Sequence, residues 1–149
     1  MADNLLAEAY RILARRAYTR AEMAKKLEGK APAEEVEEVL NNLAQAGYLD
    51  DRAFVREYIQ QRLSLRPSGR RLLEMKLRAK GVAPVVIKEV LDDALNPQDE
   101  EEAAKVLAEK KSASLKGLDE AARQRRIYQF LLSRGFSPQV AGKYARFSD

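Results

Sequence analysis

The chain has 149 residues, a formal net charge of +4, 46% apolar residues, and neither cysteine nor histidine. That apolar content is enough to bury a core and excludes a disordered chain, while the missing thiol and imidazole exclude disulfides, zinc–thiolate sites and the commonest general base. An enzyme here would have only carboxylates, Lys, Tyr or Ser to work with, so no catalytic set, metal or cofactor is expected. No run of about 18 apolar residues is present, and the first residues lack the basic-then-apolar pattern of a secretory signal, so a soluble, cytoplasmic protein is expected.

Apolar residues recur at helical spacing along the chain and no segment alternates strictly, which predicts an all-α protein. The first helix should run from about Asn4 to Ala17, burying Leu5, Leu6, Ala9, Ile12 and Leu13. Thr19-Arg20-Ala21-Glu22 has capping-box spacing, with Tyr18 and Met23 in staple positions, so a short second helix starts there and ends near Gly29. Pro32 opens a third with Val36, Val39, Leu40 and Leu43 inside, closed by Gly47. At Asp50 a fourth helix is capped, with Leu49 and Phe54 as its staple and Phe54, Val55, Tyr58, Ile59 and Leu63 inside.

Arg66-Pro67-Ser68-Gly69 breaks that helix, and Ser68 is read as the cap of a fifth, which buries Leu72, Leu73 and Leu77 and stops at Gly81. Pro84 opens a sixth with Ile87, Val90, Leu91 and Leu95 inside. The seventh starts on Asp99-Glu100-Glu101-Glu102 and ends at Lys110-Lys111, charges that complement the helix dipole, and Ser112 to Gly117 reads as a polar linker. Asp119 caps an eighth helix with Ile127, Phe130 and Leu131 inside, and Ser137-Pro138 opens a ninth with Val140, Tyr144 and Phe147.

Three middle helices end alike, at Gly29, Gly81 and Gly135, and a proline (Pro32, Pro84, Pro138) follows each. The period of about 50 residues predicts three tandem three-helix repeats, 1–47, 48–96 and 97–149. Stacked on one another they would form one continuous, elongated array, straight or curved. The stretch Gly47 to Ile59 is its first hinge and is expected to set the angle between units.

Charge is uneven. Residues 1–50 carry 7 basic and 9 acidic side chains, 51–97 carry 10 and 6, and 98–149 carry 10 and 8. The densest positive segment runs from Arg66 to Lys80, where six basic residues face only Glu74. At 100° per residue, Arg71, Glu74 and Arg78 share a stripe opposite Leu72 and Leu73 with Arg70 beside it, while Lys76 and Lys80 fall within the apolar arc and should lay their stems over the core. Arg125 and Arg126 project from the eighth helix, Arg11 and Arg15 from the first; Arg16, Arg123 and Arg134 border buried faces. An arginine fork can take two phosphate oxygens or a carboxylate edge, so an acidic protein surface or nucleic acid is the partner class. Charged stripes opposite an apolar face are also what any soluble helix shows, and both readings stand on sequence.

The carboxylates of Asp50-Asp51, Asp92-Asp93 and Asp99 to Glu102 fit capping and dipole roles better than magnesium binding, because sequence neighbours diverge on a helix and no glycine-rich phosphate loop accompanies them. Phe54, Tyr58, Phe130 and Tyr144 fall on apolar arcs and are read as core; Tyr18 and Tyr48, which precede caps, are left open.

Gly47-Tyr48-Leu49-Asp50-Asp51-Arg52-Ala53-Phe54, Lys76-Leu77-Arg78-Ala79-Lys80-Gly81 and Phe130-Leu131-Leu132-Ser133-Arg134-Gly135-Phe136 resemble the three signature regions of the RecX family, bacterial regulators of the RecA recombinase. Arg11-Ile12-Leu13-Ala14-Arg15-Arg16 with Glu22 and Leu27 is similar to that family's opening; Arg66-Pro67-Ser68-Gly69 departs from its more usual glycine-rich loop. The resemblance implies a non-catalytic, monomeric modulator that lies in the groove of the RecA nucleoprotein filament, suppresses ATP hydrolysis and strand exchange in recombination and repair, and binds single- or double-stranded DNA more weakly. The candidate contacts are Arg70, Arg71, Lys76, Arg78, Lys80, Arg125, Arg126 and Arg134, with Arg15 and Arg16 on the net-negative first unit. The competing reading is a tandem helix-turn-helix protein that binds duplex DNA.

Overall fold

The structure is a computed structural model that describes the backbone of residues 2–147 and the side chains of residues 3–146. Among these residues there are nine helices and no strand: α1 (Ala2–Leu13), α2 (Arg20–Leu27), α3 (Ala33–Gln45), α4 (Asp51–Leu65), α5 (Arg70–Ala79), α6 (Pro84–Ala94), α7 (Pro97–Ser114), α8 (Glu120–Ser133) and α9 (Pro138–Phe147). They segregate into three cores: α1–α3 around Leu5, Met23, Leu27 and Leu43, α4–α6 around Val55, Ile59, Leu77 and Leu91, and α7–α9 around Ala108, Ile127, Leu131 and Phe136. The helices that each core draws on are those of its own unit alone.

Local chemistry starts the helices where the residue types require. Thr19 closes a capping box, its Oγ1 accepting from Glu22 N and its own N–H donating to the Glu22 carboxylate, both at 3.0 Å. Asp50 caps α4 by accepting from Ala53 N at 3.1 Å, and Asn96 and Asp119 do the same for α7 and α8. Leu49 completes the first core while Phe54 packs on the second, so the staple positions at Asp50 straddle the boundary between units.

Several expectations are corrected. α1 ends at Leu13, not Ala17. Ser68 does not cap α5: Gly69 holds that position without a side-chain bond, and the buried Ser68 hydroxyl instead donates to Arg66 O. The stretch from Ser112 is no linker, because α7 continues to Ser114 and buries Ser112 on its inner face. Leu72 is only half-buried and packs in neither core; its backbone abuts Gly135. The predicted core placement of Phe147 lies outside the described side chains.

The units are joined through their middle helices. At the first joint the buried Thr19 hydroxyl donates to Lys80 O, the last carbonyl of α5, at 2.7 Å, and Arg20 N donates to the Asp51 carboxylate at 3.0 Å. At the second, Gly69 N donates to Arg134 O at 2.7 Å and Arg71 N to Gly135 O at 3.1 Å. In both cases the N-terminal turn of one middle helix meets the C-terminal turn of the next, α2 on α5 and α5 on α8. Unpaired helix-end carbonyls find donors, and the dipoles meet positive end to negative end.

Gly81 and Gly135 make this approach possible. Both have positive φ (+85° and +92°), and a Cβ would lie 2.3 Å from Ala21 Cβ at Gly81 and 2.4 Å from Leu72 N at Gly135. These glycines therefore allow the close approach at each joint.

Candidate partner-binding surface

The candidate cations fall into three physical groups. Arg71 and Arg78 on α5, and Arg125 and Arg126 on α8, are exposed, and no carboxylate pairs with them among the described residues. Their charge is directed to solvent and is free for a partner.

A second group is spent inside the fold. Arg70 is only 29% exposed at its side chain; its Nε donates to Glu74 at 3.0 Å and its Nη2 to Asp92 at 2.6 Å. Burial pulls this guanidinium down, but the bonds to Asp92 and Glu74 prevail and hold it above its ordinary value. Hydrogen bonds from Lys88 and Arg70 in turn hold the Asp92 carboxyl below the usual carboxylate value. Arg134 is half-buried, donates through Nη2 to Pro67 O at 2.9 Å across the second joint, and lies 6.0 Å from the Phe130 ring centroid. It is a joint residue rather than a surface one.

The third group lines recesses. Arg16 sits 3.7 Å over the Tyr18 ring and pairs with Glu22 at 3.4 Å. With Lys80 it borders an opening of about 380 Å³ whose wall includes Phe54, Glu57 and Tyr58, so it spans the first two units. Lys76 and Lys80 border a second, of about 390 Å³, with Glu22, Tyr58 and Arg62. Both lysines are half-buried, with Lys80 Nζ 5.9 Å from the Phe54 and Tyr58 ring centroids, as their place on the apolar arc requires. Arg15 borders a smaller recess on the first unit with Glu8, Arg11 and Lys26. Arg125 and Arg126 border one of about 520 Å³ with Lys111, Tyr128, Gln129 and Phe130, where no acidic side chain contributes.

Acidic clusters have structural work. Asp51 holds Arg20 N, Asp92 joins Arg70 to Lys88, and Glu101 accepts from Lys143 at 2.7 Å and Tyr144 at 3.1 Å. Among the described residues no three acidic side chains gather as a metal site would need, and no helix is long and apolar enough to cross a membrane.

Family models described as the first, second and third three-helix domains of RecX match residues 6–43, 50–91 and 99–144. The chain is 38% identical to Regulatory protein RecX of Pelodictyon phaeoclathratiforme over 139 residues, covering 93% of this chain and 84% of the relative. The chain belongs to the RecX family. A RecX of Thermus thermophilus is also 38% identical, over 141 residues that cover 95% of this chain and 89% of that one. A crystal structure of a regulatory protein RecX superposes with a TM-score of 0.82 at 28% identity, covering 96% of this chain and 72% of the other. RecX from Lactobacillus salivarius superposes at 0.89 with 21% identity, covering 99% and 96%, and shows the shared fold.

Within this RecX chain the sequence reading missed Arg62 and Lys111. Arg62 lies 5.0 Å from the Tyr58 ring centroid, four residues along α4, a spacing that could have revealed it. Lys111, read only as a dipole partner, lies 5.0 Å from the Phe130 ring centroid on another helix, which nothing in the sequence indicates. Tyr48, left open, is 54% exposed and stands edge-on to Tyr10 with centroids 5.1 Å apart, while Tyr18 is buried in the first core.

Proposed function

We propose that this RecX chain is a non-catalytic regulator of RecA that binds the RecA–DNA filament as a monomer, lies along its groove and suppresses ATP hydrolysis and strand exchange. The observation that supports this reading best is the set of unpaired, exposed arginines, Arg71 and Arg78 on α5 and Arg125 and Arg126 on α8, carried by middle helices that are joined head to tail. Units 1–47, 48–96 and 97–149 then act as one array that spans successive protomers of a helical polymer. Arginine forks on such an array suit a repeating acidic surface or exposed phosphates. The net-negative first unit contributes shape, and free DNA is the weaker partner. The setting is the cytoplasm, in recombination, repair and the SOS response.

A RecA filament ATPase assay tests the reading. The parent chain is expected to slow hydrolysis, and a folded variant carrying Arg71→Glu, Arg78→Glu and Arg126→Glu is expected to lose that effect. Inhibition left intact in the variant would show that the basic stripe is not the contact. Binding to random duplex, single strand and RecA-coated strand at one salt concentration separates this reading from a tandem helix-turn-helix duplex binder, for which sequence-selective duplex affinity is the mark.

A further inference from the structure

The recess shared by Lys76 and Lys80 has chemistry of its own. It lies where the first unit meets the second, and its wall is made by Glu22 of α2, Tyr58 and Arg62 of α4, and Lys76, Ala79 and Lys80 around the end of α5. Three cations face one carboxylate there. That carboxylate is already committed: Glu22 accepts from Thr19 N at 3.0 Å and from Arg16 at 3.4 Å, and meets Lys80 only at 3.6 Å. Arg62 and Lys76 have no carboxylate partner among the described residues.

Beside these charges, the Tyr58 hydroxyl is closed off from solvent and has no hydrogen-bond partner among the described protein groups. A buried hydroxyl without a partner is destabilising, and it usually marks a place where a water or an ion belongs. Although Arg62 and Lys80 gain from the ring face, three like charges lining one recess repel one another, which adds to that cost. One event relieves both: an anion that accepts from the hydroxyl and draws the cations onto itself. To reach the hydroxyl it must displace a covering side chain. Arg62 and Lys80, which lie against the same ring at 5.0 and 5.9 Å from its centroid, are long, flexible and attracted to what displaces them.

We infer that this joint recess is an oxyanion site that takes a phosphate group, held by Arg62, Lys76 and Lys80 with the Tyr58 hydroxyl as the fourth donor. A tetrahedral phosphate has enough oxygens for donors arriving from α4 and α5 together, and a volume of about 390 Å³ accommodates it with its first waters. Because Glu22 also lines the recess, the bound group sits against both units and stiffens the joint between them. The phosphate is either free in solution or part of a nucleic-acid backbone. The site is independent of RecA: a failed ATPase test leaves phosphate binding to be measured on the isolated chain.

Titration of the full chain with inorganic phosphate, against sodium chloride at matched ionic strength, tests the site by calorimetry and amide NMR shifts. Phosphate is expected to raise the melting temperature and move the amides around Tyr58, Lys76 and Lys80. Tyr58→Phe keeps the ring and is expected to fold as stably as the parent in phosphate-free buffer yet bind phosphate about three- to tenfold more weakly, and Lys76→Gln is expected to weaken it about threefold. A short oligodeoxythymidylate that moves the same amides and competes with phosphate makes the nucleic-acid backbone the source; phosphate binding without that competition makes it a small phosphate compound. No response beyond the chloride control, an unchanged response in Tyr58→Phe and Lys76→Gln, or a Tyr58→Phe chain that is less stable without phosphate overturns the inference.

Discussion

The two joints perform one task by different chemistry. At the first, side chains reach across: the Thr19 hydroxyl to Lys80 O, the Asp51 carboxylate to Arg20 N, and Lys80 to Glu22. At the second, side-chain bonds from Arg134 to Pro67 O and from Arg70 N to the Glu100 carboxylate are joined by backbone meeting backbone, and glycine is required on both sides: a Cβ on Gly69 would lie 2.4 Å from the Gly135 carbonyl, and one on Gly135 2.4 Å from Leu72 N. The first joint is also close at one point, where a Cβ on Gly81 would lie 2.3 Å from Ala21 Cβ, but only the second brings backbone against backbone at glycines on both sides. The second joint therefore leaves less room for an added side chain, and it is expected to be the more rigid end.

This contrast can be broken at its rigid end. Gly135→Ala combines a positive φ with a clash against backbone that cannot move aside, and is expected to cost roughly 3 kcal/mol or more. Gly69→Ala has an ordinary φ of −78° and tests the clash alone. Urea unfolding checks both; a Gly69→Ala chain of parental stability would show that the second joint opens freely.

Next in size is Thr19→Val, which keeps the volume but removes the cap and the bond to Lys80 O together, for an expected loss of about 2 kcal/mol. Limited proteolysis should then cut near the Gly47 hinge, with the α4–α9 region protected. Gly29→Ala sharpens the comparison from outside. Gly29 ends α2 as Gly81 ends α5, with φ +78°, but nothing lies within 4 Å of its Cβ position, so only backbone strain of about 1 kcal/mol is expected. A loss at Gly29 as large as at Gly135 would mean that φ, and not the joint, governs both.

The smallest effect is on pH. Hydrogen bonds from Lys88 and Arg70 to Asp92, and from Lys143 and Tyr144 to Glu101, hold both carboxyls below their ordinary values in the folded chain. Their contribution is full above the unfolded carboxylate range near about pH 4 and is lost as pH falls through the folded values. Asp92 is exposed and Glu101 only partly buried, so the effect is modest. Melting curves of Glu101→Gln should lie modestly below those of the parent at neutral pH, with the gap closing as pH falls, so that the variant shows the shallower acid limb.

The candidate surface was legible only in part. Helical spacing alone separates Arg71 and Arg78 from Lys76 and Lys80, and the structure keeps that division: two exposed arginines and two half-buried lysines, with Lys80 near two aromatic rings. It could not separate Arg70 from Arg71, since both sit on the outer side of α5. Only the approach of α6, which brings Asp92, takes Arg70 out of the set of free cations. Arg134 was misplaced for the same reason, because its partner, Pro67 O, is 67 residues away.

By itself the sequence determined the nine helices, most of their caps, the three-fold repetition and the family, since each depends on residues within a few positions of one another. Thr19 and Glu22 make their capping box, and Gly29, Gly81 and Gly135 their left-handed turns, without distant help. Tertiary structure alone decided how the units meet. The Thr19 hydroxyl has a second bond to make because Lys80 O, 61 residues on, is an open helix end, and Gly69 and Gly135 are needed because two backbones touch. Packing within a unit decides the rest: α6 brings Asp92 to Arg70 and so removes it from the free cations.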